Sequence, residues 1–373
     1  MRITFLLPHV RLSGGVKAML EYANRLYAQE HEVHIILPAQ GHKWHRLDKT
    51  LRSLGKKPTL LNPESVDWFD NLIPIKILPR NHAAFVPEAD ILVATAWQTA
   101  EFAAKLPPQT GEKFYFIQHD ESLWTRDKEK AECTYRLPFQ QIVISTWLKE
   151  IMRENYQQEA KVLVTPVDKN LFFCEEKKWN SPRRVCLLHH DYDWKGYKEG
   201  IAAVRKVIST NRNVELVVFG EKMKEPKSLF EEAGFEFEYH FRPTRERLRE
   251  IYSSCDIYLC PSWHEGLGMP AMEAMACRCA LVTTDTGGSR DYAFDKETAL
   301  VSPPQNVDRL ADNLTALLDD ANLLQQLSEN GHQFIQKFDW DENCGKLLGW
   351  FENKIKGTSK NTNRGIFLDS PKG

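Results

Sequence analysis

The chain has 373 residues, a length that suggests two domains. Lysine plus arginine number 49 and aspartate plus glutamate 51, and the resulting charge of −2 excludes a protein that grips a polyanion by bulk charge, so no nucleic-acid partner is expected. Hydrophobic content of 42% with charged content of 27% excludes wholesale disorder.

Ile3–Leu7 reads as a buried strand, too short for a signal-peptide core and stopped by Pro8. Ser13-Gly14-Gly15 leads into a helical pattern with Val16, Met19, Leu20, Ala23, Leu26 and Tyr27 on one face. Glu32–Leu37 returns as a strand. His42–Lys57 carries Lys43, Arg46, Lys49, Arg52, Lys56 and Lys57 against Asp48 alone, with Trp44, Leu47, Leu51 and Leu54 interleaved. As a basic amphipathic helix it is a candidate for peripheral contact with an anionic membrane or an acidic acceptor. The plainer alternative is a solvated helix that packs its leucines on the N-domain.

Further strands are predicted at Asp90–Ala94, Lys113–Gln118, Gln141–Ser145 and Lys161–Thr165, followed by a polar linker over Glu176–Arg184. The alternation restarts with strand Val185–Leu188, a helix near Glu199–Ile208, strand Val214–Phe219 and a helix near Thr244–Ser253. Strand Asp256–Cys260, helix Pro270–Ala276 and strand Ala280–Thr284 follow. Gln325–Lys356 reads as helical with a break near Phe338-Asp339-Trp340, and Gly357–Gly373 is a polar, aperiodic tail expected to be mobile.

Strands that are apolar throughout, alternating with helices, imply parallel sheets covered on both faces. The fold class is therefore α/β, with two doubly wound domains and ligands at strand C-terminal ends. The expected boundaries are 1–178 for an N-terminal domain, 185–338 for a C-terminal domain, and 339–356 for a helix crossing back to the first. No stretch approaches the ~18 uncharged apolar residues of a membrane span. The eight cysteines form no Cys-x-x-Cys pair and sit mostly in apolar runs, so a cytoplasmic setting is expected, peripheral at the membrane if 42–57 binds there.

The segment from Ile257 to Ala276 is a strand, a loop and a helix. Gly266 and Gly268 permit close approach of backbone to a ligand, and Pro270 suits a first helical turn whose free N–H groups favour a diphosphate. Glu265 before the helix and Glu273 within it can face one crevice at different depths, where carboxylates accept hydrogen bonds from hydroxyls. In isolation such a pair is more simply a loop charge and a solvated helix residue.

The segment resembles the Glu-x7-Glu signature of retaining glycosyltransferases of the GT-B fold, in particular glycosyltransferase family 4. The resemblance extends through Leu248–Asp256, Ala280–Gly288 and Thr298–Pro304, and touches the first half at Gly14-Gly15, Ser145 and Val164–Asp168. It implies two Rossmann-like domains facing each other across a cleft, with a nucleoside-diphosphate sugar as donor substrate. It implies contact of Glu265 with donor-sugar hydroxyls, of Glu273 with the ribose, and of the backbone at Gly266, Leu267, Gly268 and Met269 with sugar and diphosphate. The family's basic pair is matched at Lys195-Gly196, but His190 stands where arginine is usual. His119, ending a strand, is the N-domain catalytic candidate beside Glu265 and Lys195, with Asp120 as a spare acid. Gly15 would approach the phosphates or the acceptor.

The resemblance further implies front-face transfer of a hexosyl or deoxyhexosyl group to a glycan or lipid-linked hydroxyl, in polysaccharide biosynthesis, without cofactor or metal. Leu12–Ala18 does not fit Gly-x-Gly-x-x-Gly, which argues against a nicotinamide dehydrogenase. Three alternatives stand beside this reading. Asp191-Tyr192-Asp193 and Asp339-Trp340-Asp341 fit the short Asp-x-Asp pattern of a metal-dependent transferase. The others are a non-catalytic nucleotide-sugar-binding module and a GT-B sugar-nucleotide epimerase.

Overall fold

The computed structural model describes residues 1–11, 13–38, 66, 68–78, 81–210, 212–221 and 227–364. The basic segment 42–57 lies outside the described residues. Two compact units emerge: Met1–Val143 with Lys149–Leu163 and the last helix from Asp341, and Ile144–Leu148 with Val164–Trp340.

The first unit is built on seven parallel strands: β1 (Arg2–Leu6), β2 (Glu32–Leu37), β3 (Ile75–Ile77), β4 (Ile91–Ala94), β5 (Glu112–Ile117), β6 (Gln140–Val143) and β7 (Ala160–Val162), in the order β3-β2-β1-β4-β5-β6-β7. β1, β4 and β5 bury nearly every residue because helices cover both faces. The helix Gly14–Ala28 starts where the Ser13 hydroxyl accepts the Val16 N–H at 3.3 Å. The last helix, Trp340–Arg364, continues beyond position 356 and packs on this unit, with Phe351 edge-on to Phe114 at 4.7 Å and Asn343 donating to the Tyr22 hydroxyl.

The second unit has six parallel strands: β8 (Arg183–His189), β9 (Val214–Gly220), β10 (Glu238–Phe241), β11 (Ile257–Cys260), β12 (Ala280–Thr284) and β13 (Ala299–Ser302), in the order β10-β9-β8-β11-β12-β13. Val185, Leu187, Val218, Leu259 and Val282 from the strands pack against Ile201, Val204, Leu310 and Leu314 from the helices. Each unit is thus a doubly wound, Rossmann-like α/β domain.

Two expectations are corrected. Arg183 and Arg184 belong to β8 rather than to the linker, because the Arg184 N–H is taken by the fully buried Asp256 carboxylate at 2.8 Å and its guanidinium pairs with Glu215 and Glu238. Gly14 and Gly15, expected to let the loop between the first strand and the first helix approach a ligand, are themselves the first residues of that helix.

All eight cysteines lie among the described residues as free thiols; Cys133 is exposed, Cys174 half-buried and the others buried. Among the described residues, no helix is long and apolar enough to cross a membrane.

Candidate functional site

In each sheet the order reverses once, between β1 and β4 and between β8 and β11. At such a point the connections leave for opposite faces and a crevice opens at the strand C-terminal ends. In the second unit, β8 ends at His189 and β11 at Cys260, and the residues that follow both strands build the site.

After β8 the chain makes a short 3-10 turn over Asp193–Lys195 and enters the helix Tyr197–Ser209 through Gly196. Gly196 has φ +66°, and a Cβ there would lie 2.0 Å from the Pro261 carbonyl oxygen, so the Lys195 backbone is pressed against the residues that follow β11. The Lys195 ammonium then meets both Glu265 oxygens, at 2.7 and 2.9 Å. The Ser262 hydroxyl donates to one of those oxygens at 2.8 Å. Glu265 is anchored through its backbone as well: its N–H donates to Thr286 at 3.0 Å, and its carbonyl accepts the Gly288 N–H at 3.2 Å. The pair is largely withdrawn from water, with side chains 20% and 12% exposed. Removing one partner would strand a charge in a place of reduced solvation, whereas an anionic ligand could take the place of Glu265 as the partner of Lys195.

The loop after Glu265 turns into the helix Met269–Ala276 at Gly268, φ +92°, where the Tyr292 hydroxyl donates to the Gly268 carbonyl at 3.3 Å. A Cβ at Gly268 would fall 2.6 Å from that hydroxyl. Gly266 and Leu267 are buried, and Met269 and Pro270 form the first turn over a small recess lined by Lys195, Ser262, Glu265, Gly268 and Pro270. Glu273 is placed differently. It is 7% exposed within the helix, and its charge, after burial itself, helps to hold the Cys277 thiol up at about 12.

His190 accepts the Tyr192 N–H on Nδ1 at 3.1 Å. Its ring begins a row: Tyr192 at 4.4 Å, Trp194 stacked on Tyr192 at 4.2 Å and 16°, and His264 stacked on Trp194 at 5.8 Å. Neither this row nor Ser262 is foreseen from sequence, although each residue lies beside one that the motifs single out.

In the first unit, His119 follows β5 and its Nδ1 lies 3.1 Å from the Asp120 carbonyl. Asp120 acts as a structural cap, since its buried carboxylate accepts the Ser122 N–H at 3.1 Å and the Ser122 hydroxyl at 2.7 Å. Gly15 lies under the Gln118 amide, 3.0 Å from where its Cβ would be. Glu121 is not foreseen from sequence. Its carboxylate accepts the Trp97 N–H at 2.7 Å and the Tyr115 hydroxyl at 3.3 Å. Burial pushes that carboxyl up to about 7, against the lowering effect of those two donors. Among the described residues, no group of three or more His, Cys, Asp or Glu is arranged to hold a metal; Asp191 and Asp193 are both exposed.

Comparison with known proteins bears on this geometry. A family model described as glycosyl transferases group 1 matches residues 169–334. An uncharacterized glycosyltransferase of Methanocaldococcus jannaschii is 25% identical over 202 residues, covering 54% of this chain and 56% of that protein. The MMP alpha-(1->4)-mannosyltransferase of Mycolicibacterium hassiacum is 26% identical over 203 residues, covering 53% and 49%. The chain thus spans about half the length of these curated relatives. Among solved structures, sucrose-phosphate synthase from Thermosynechococcus elongatus aligns with a TM-score of 0.75 at 15% identity, over 95% of this chain and 99% of that one. Anabaena HepE in complex with UDP and glucose aligns at 0.73 and 16%, over 95% and 100%. The fold is the GT-B fold of glycosyltransferases.

Proposed function

We propose that the chain is a retaining, metal-independent glycosyltransferase of family 4 type. It moves a hexosyl or deoxyhexosyl group from a nucleoside-diphosphate sugar to a hydroxyl of a glycan or lipid-linked acceptor. The observation that carries this reading is the Lys195–Glu265–Ser262 constellation in the switch-point crevice. The match of residues 169–334 to the group 1 model supports it.

In this reading the Glu265 carboxylate accepts hydrogen bonds from donor-sugar hydroxyls and does not attack. The Lys195 ammonium, drawn from Glu265 toward the diphosphate, offsets the charge that grows on the leaving group. The first turn at Met269 and Pro270 adds the positive end of its helix, and Gly266, Leu267 and Gly268 add backbone. His190 supplies a ring in place of the family's arginine, Glu273 serves the ribose, Gly15 the phosphates, and His119 is the catalytic residue of the first unit. The acceptor hydroxyl attacks from the face the diphosphate leaves, and a departing phosphate oxygen takes its proton. No side-chain nucleophile is needed.

Lys195→Ala and Glu265→Ala should each slow transfer by about 100-fold or more, a loss typical of removing a group that stabilises developing charge. Both variants should still melt cooperatively. Wild-type transfer rates in both would reject the assignment. One observation favours a second reading: with histidine at 190, the chain is a candidate for a binding module that no longer catalyses. Nucleoside diphosphates that raise the melting temperature, with no transfer and no donor hydrolysis, would select that reading.

A further inference from the structure

The pentapeptide Ile144–Leu148, which follows β6, belongs to the second unit. It contains the start of the helix Thr146–Tyr156, and the Asp291 carboxylate closes that start with both oxygens. One accepts the Thr146 N–H at 2.8 Å and the other the Thr146 hydroxyl at 2.8 Å, so a backbone donor with no partner inside the helix is satisfied. This grip places the next side chain. A Cβ on Gly287, at φ +82°, would fall 2.5, 2.6 and 2.7 Å from three atoms of the Trp147 indole, so the ring rests directly on the glycine backbone.

Gly287 in turn lies beside Glu265. The two form an isolated parallel bridge, in which the Glu265 N–H donates to the Thr286 carbonyl at 3.0 Å and the Gly288 N–H to the Glu265 carbonyl at 3.2 Å. A Cβ on Gly288 would lie 2.6 Å from that same Glu265 oxygen. The turn is also closed on itself. The Thr286 N–H donates to the Ser289 hydroxyl, the Ser289 N–H to the Thr286 hydroxyl and the Gly287 N–H to the Asp285 carboxylate, each at 3.1 Å. A turn braced in this way moves as one piece, and only a two-bond bridge ties that piece to the Glu265 backbone. Thr146 and Trp147 add a hold at both its ends, Trp147 on Gly287 and Thr146 on Asp291, the last residue of the 3-10 turn Gly288–Asp291.

Filling of the core accounts for this less well. Trp147 is half-buried and Thr146 exposed, whereas Gly287, Gly288 and Ser289 beneath them are buried.

We propose that Trp147, seated by Asp291, is a positioning residue for Glu265: it holds the 286–288 turn against the Glu265 backbone and so keeps the carboxylate at Lys195 and Ser262. The hold on the backbone stands on these contacts alone; its effect on the donor sugar rests on the transferase reading. Two measurements on the full chain separate them. In Trp147→Ala, hydrogen exchange at the Glu265 and Gly288 amides should speed up by about ten-fold or more, with the amides of β9 unchanged. Asp291→Ala should act in the same direction by a smaller factor, and Trp147→Phe should restore much of the protection. Unchanged exchange at both amides in Trp147→Ala and Asp291→Ala overturns the proposal.

Calorimetric titration then reads the consequence for the site, with UDP-glucose, GDP-mannose, ADP-glucose and dTDP-rhamnose, each beside its parent diphosphate. For a pair that wild type binds, Trp147→Ala should lower affinity for the sugar nucleotide relative to the diphosphate by about ten-fold, and adding it to Glu265→Ala should lower that ratio no further. A residue that acts only through Glu265 has nothing left to act on once the carboxylate is gone. Losses that add in the double variant would overturn the proposal. Wild type that binds none of these nucleotides would overturn the donor-site reading, and hydrogen exchange would still decide whether Trp147 holds Glu265.

Discussion

Replacing Glu121 with glutamine should remove a pH dependence of stability. In the folded protein, burial raises this carboxyl from its ordinary 4.5 to about 7. Below the lower value both folded and unfolded chains carry the proton, and the group makes no difference to folding. Between the two values the unfolded chain ionises while the folded one keeps its proton, so stability falls as pH rises. Above about 7 both are ionised and the full loss is in place. A gap of about two and a half pH units, at about 1.4 kcal/mol each, gives a loss of about 3 to 4 kcal/mol. The neighbouring Asp120 carboxylate contributes to that gap, and the hydroxyls of Tyr115 and Tyr135 face the same group. Glutamine keeps an oxygen for the Trp97 N–H and carries no charge. Denaturant unfolding of both proteins at pH 4.5 and pH 8 supplies the measurement, because titrating groups that do not interact with Glu121 cancel in the difference. Wild type should lose about 3 kcal/mol relative to Glu121→Gln across that range. Parallel curves for the two proteins would show that the carboxyl is not confined as described.

Two further substitutions test the frame of the second unit. Gly196→Ala would force a Cβ to 2.0 Å from the Pro261 carbonyl oxygen at φ +66°, and should cost about 2 kcal/mol or more, read as a lowered melting temperature and lost nucleotide binding. Asp256→Ala would leave the N–H groups of Asn180 and Arg184 and the Asn180 amide without their buried acceptor; a loss of about 3 kcal/mol is expected, with faster hydrogen exchange at the Arg184 amide.

The interior strands are legible in the sequence because they are apolar on both faces: Ile3–Leu7, Asp90–Ala94 and Ala280–Thr284 each lie within a residue or so of the strand found. Of the edge strands, β7 is anticipated at Lys161–Thr165, whereas β3 and β10 are not. β3 is three residues with Lys76 at its centre, and β10 alternates Glu238, Tyr239, His240 and Phe241 with none of them buried. An edge strand is defined by backbone pairing on one side and leaves little trace in hydropathy. Lys195 and Glu265 are singled out by the resemblance rather than by spacing alone, and the structure brings the two side chains together. Glu121 is marked by no motif, and its role shows only once the Trp97 N–H and two tyrosines are seen around it. The row His190–Tyr192–Trp194–His264 depends on two segments far apart in sequence, so no local pattern announces it.

The distribution of thiols has a practical side. Six of the eight sulfurs are enclosed and a seventh is half covered, whereas Cys133 stands open on the helix Lys128–Tyr135, in the same helix as the tyrosine that anchors the β5 loop. A maleimide dye added to the native molecule would therefore settle mainly at one address. Its emission would report on the helix that pins the β5 loop, without any cysteine being engineered in or out.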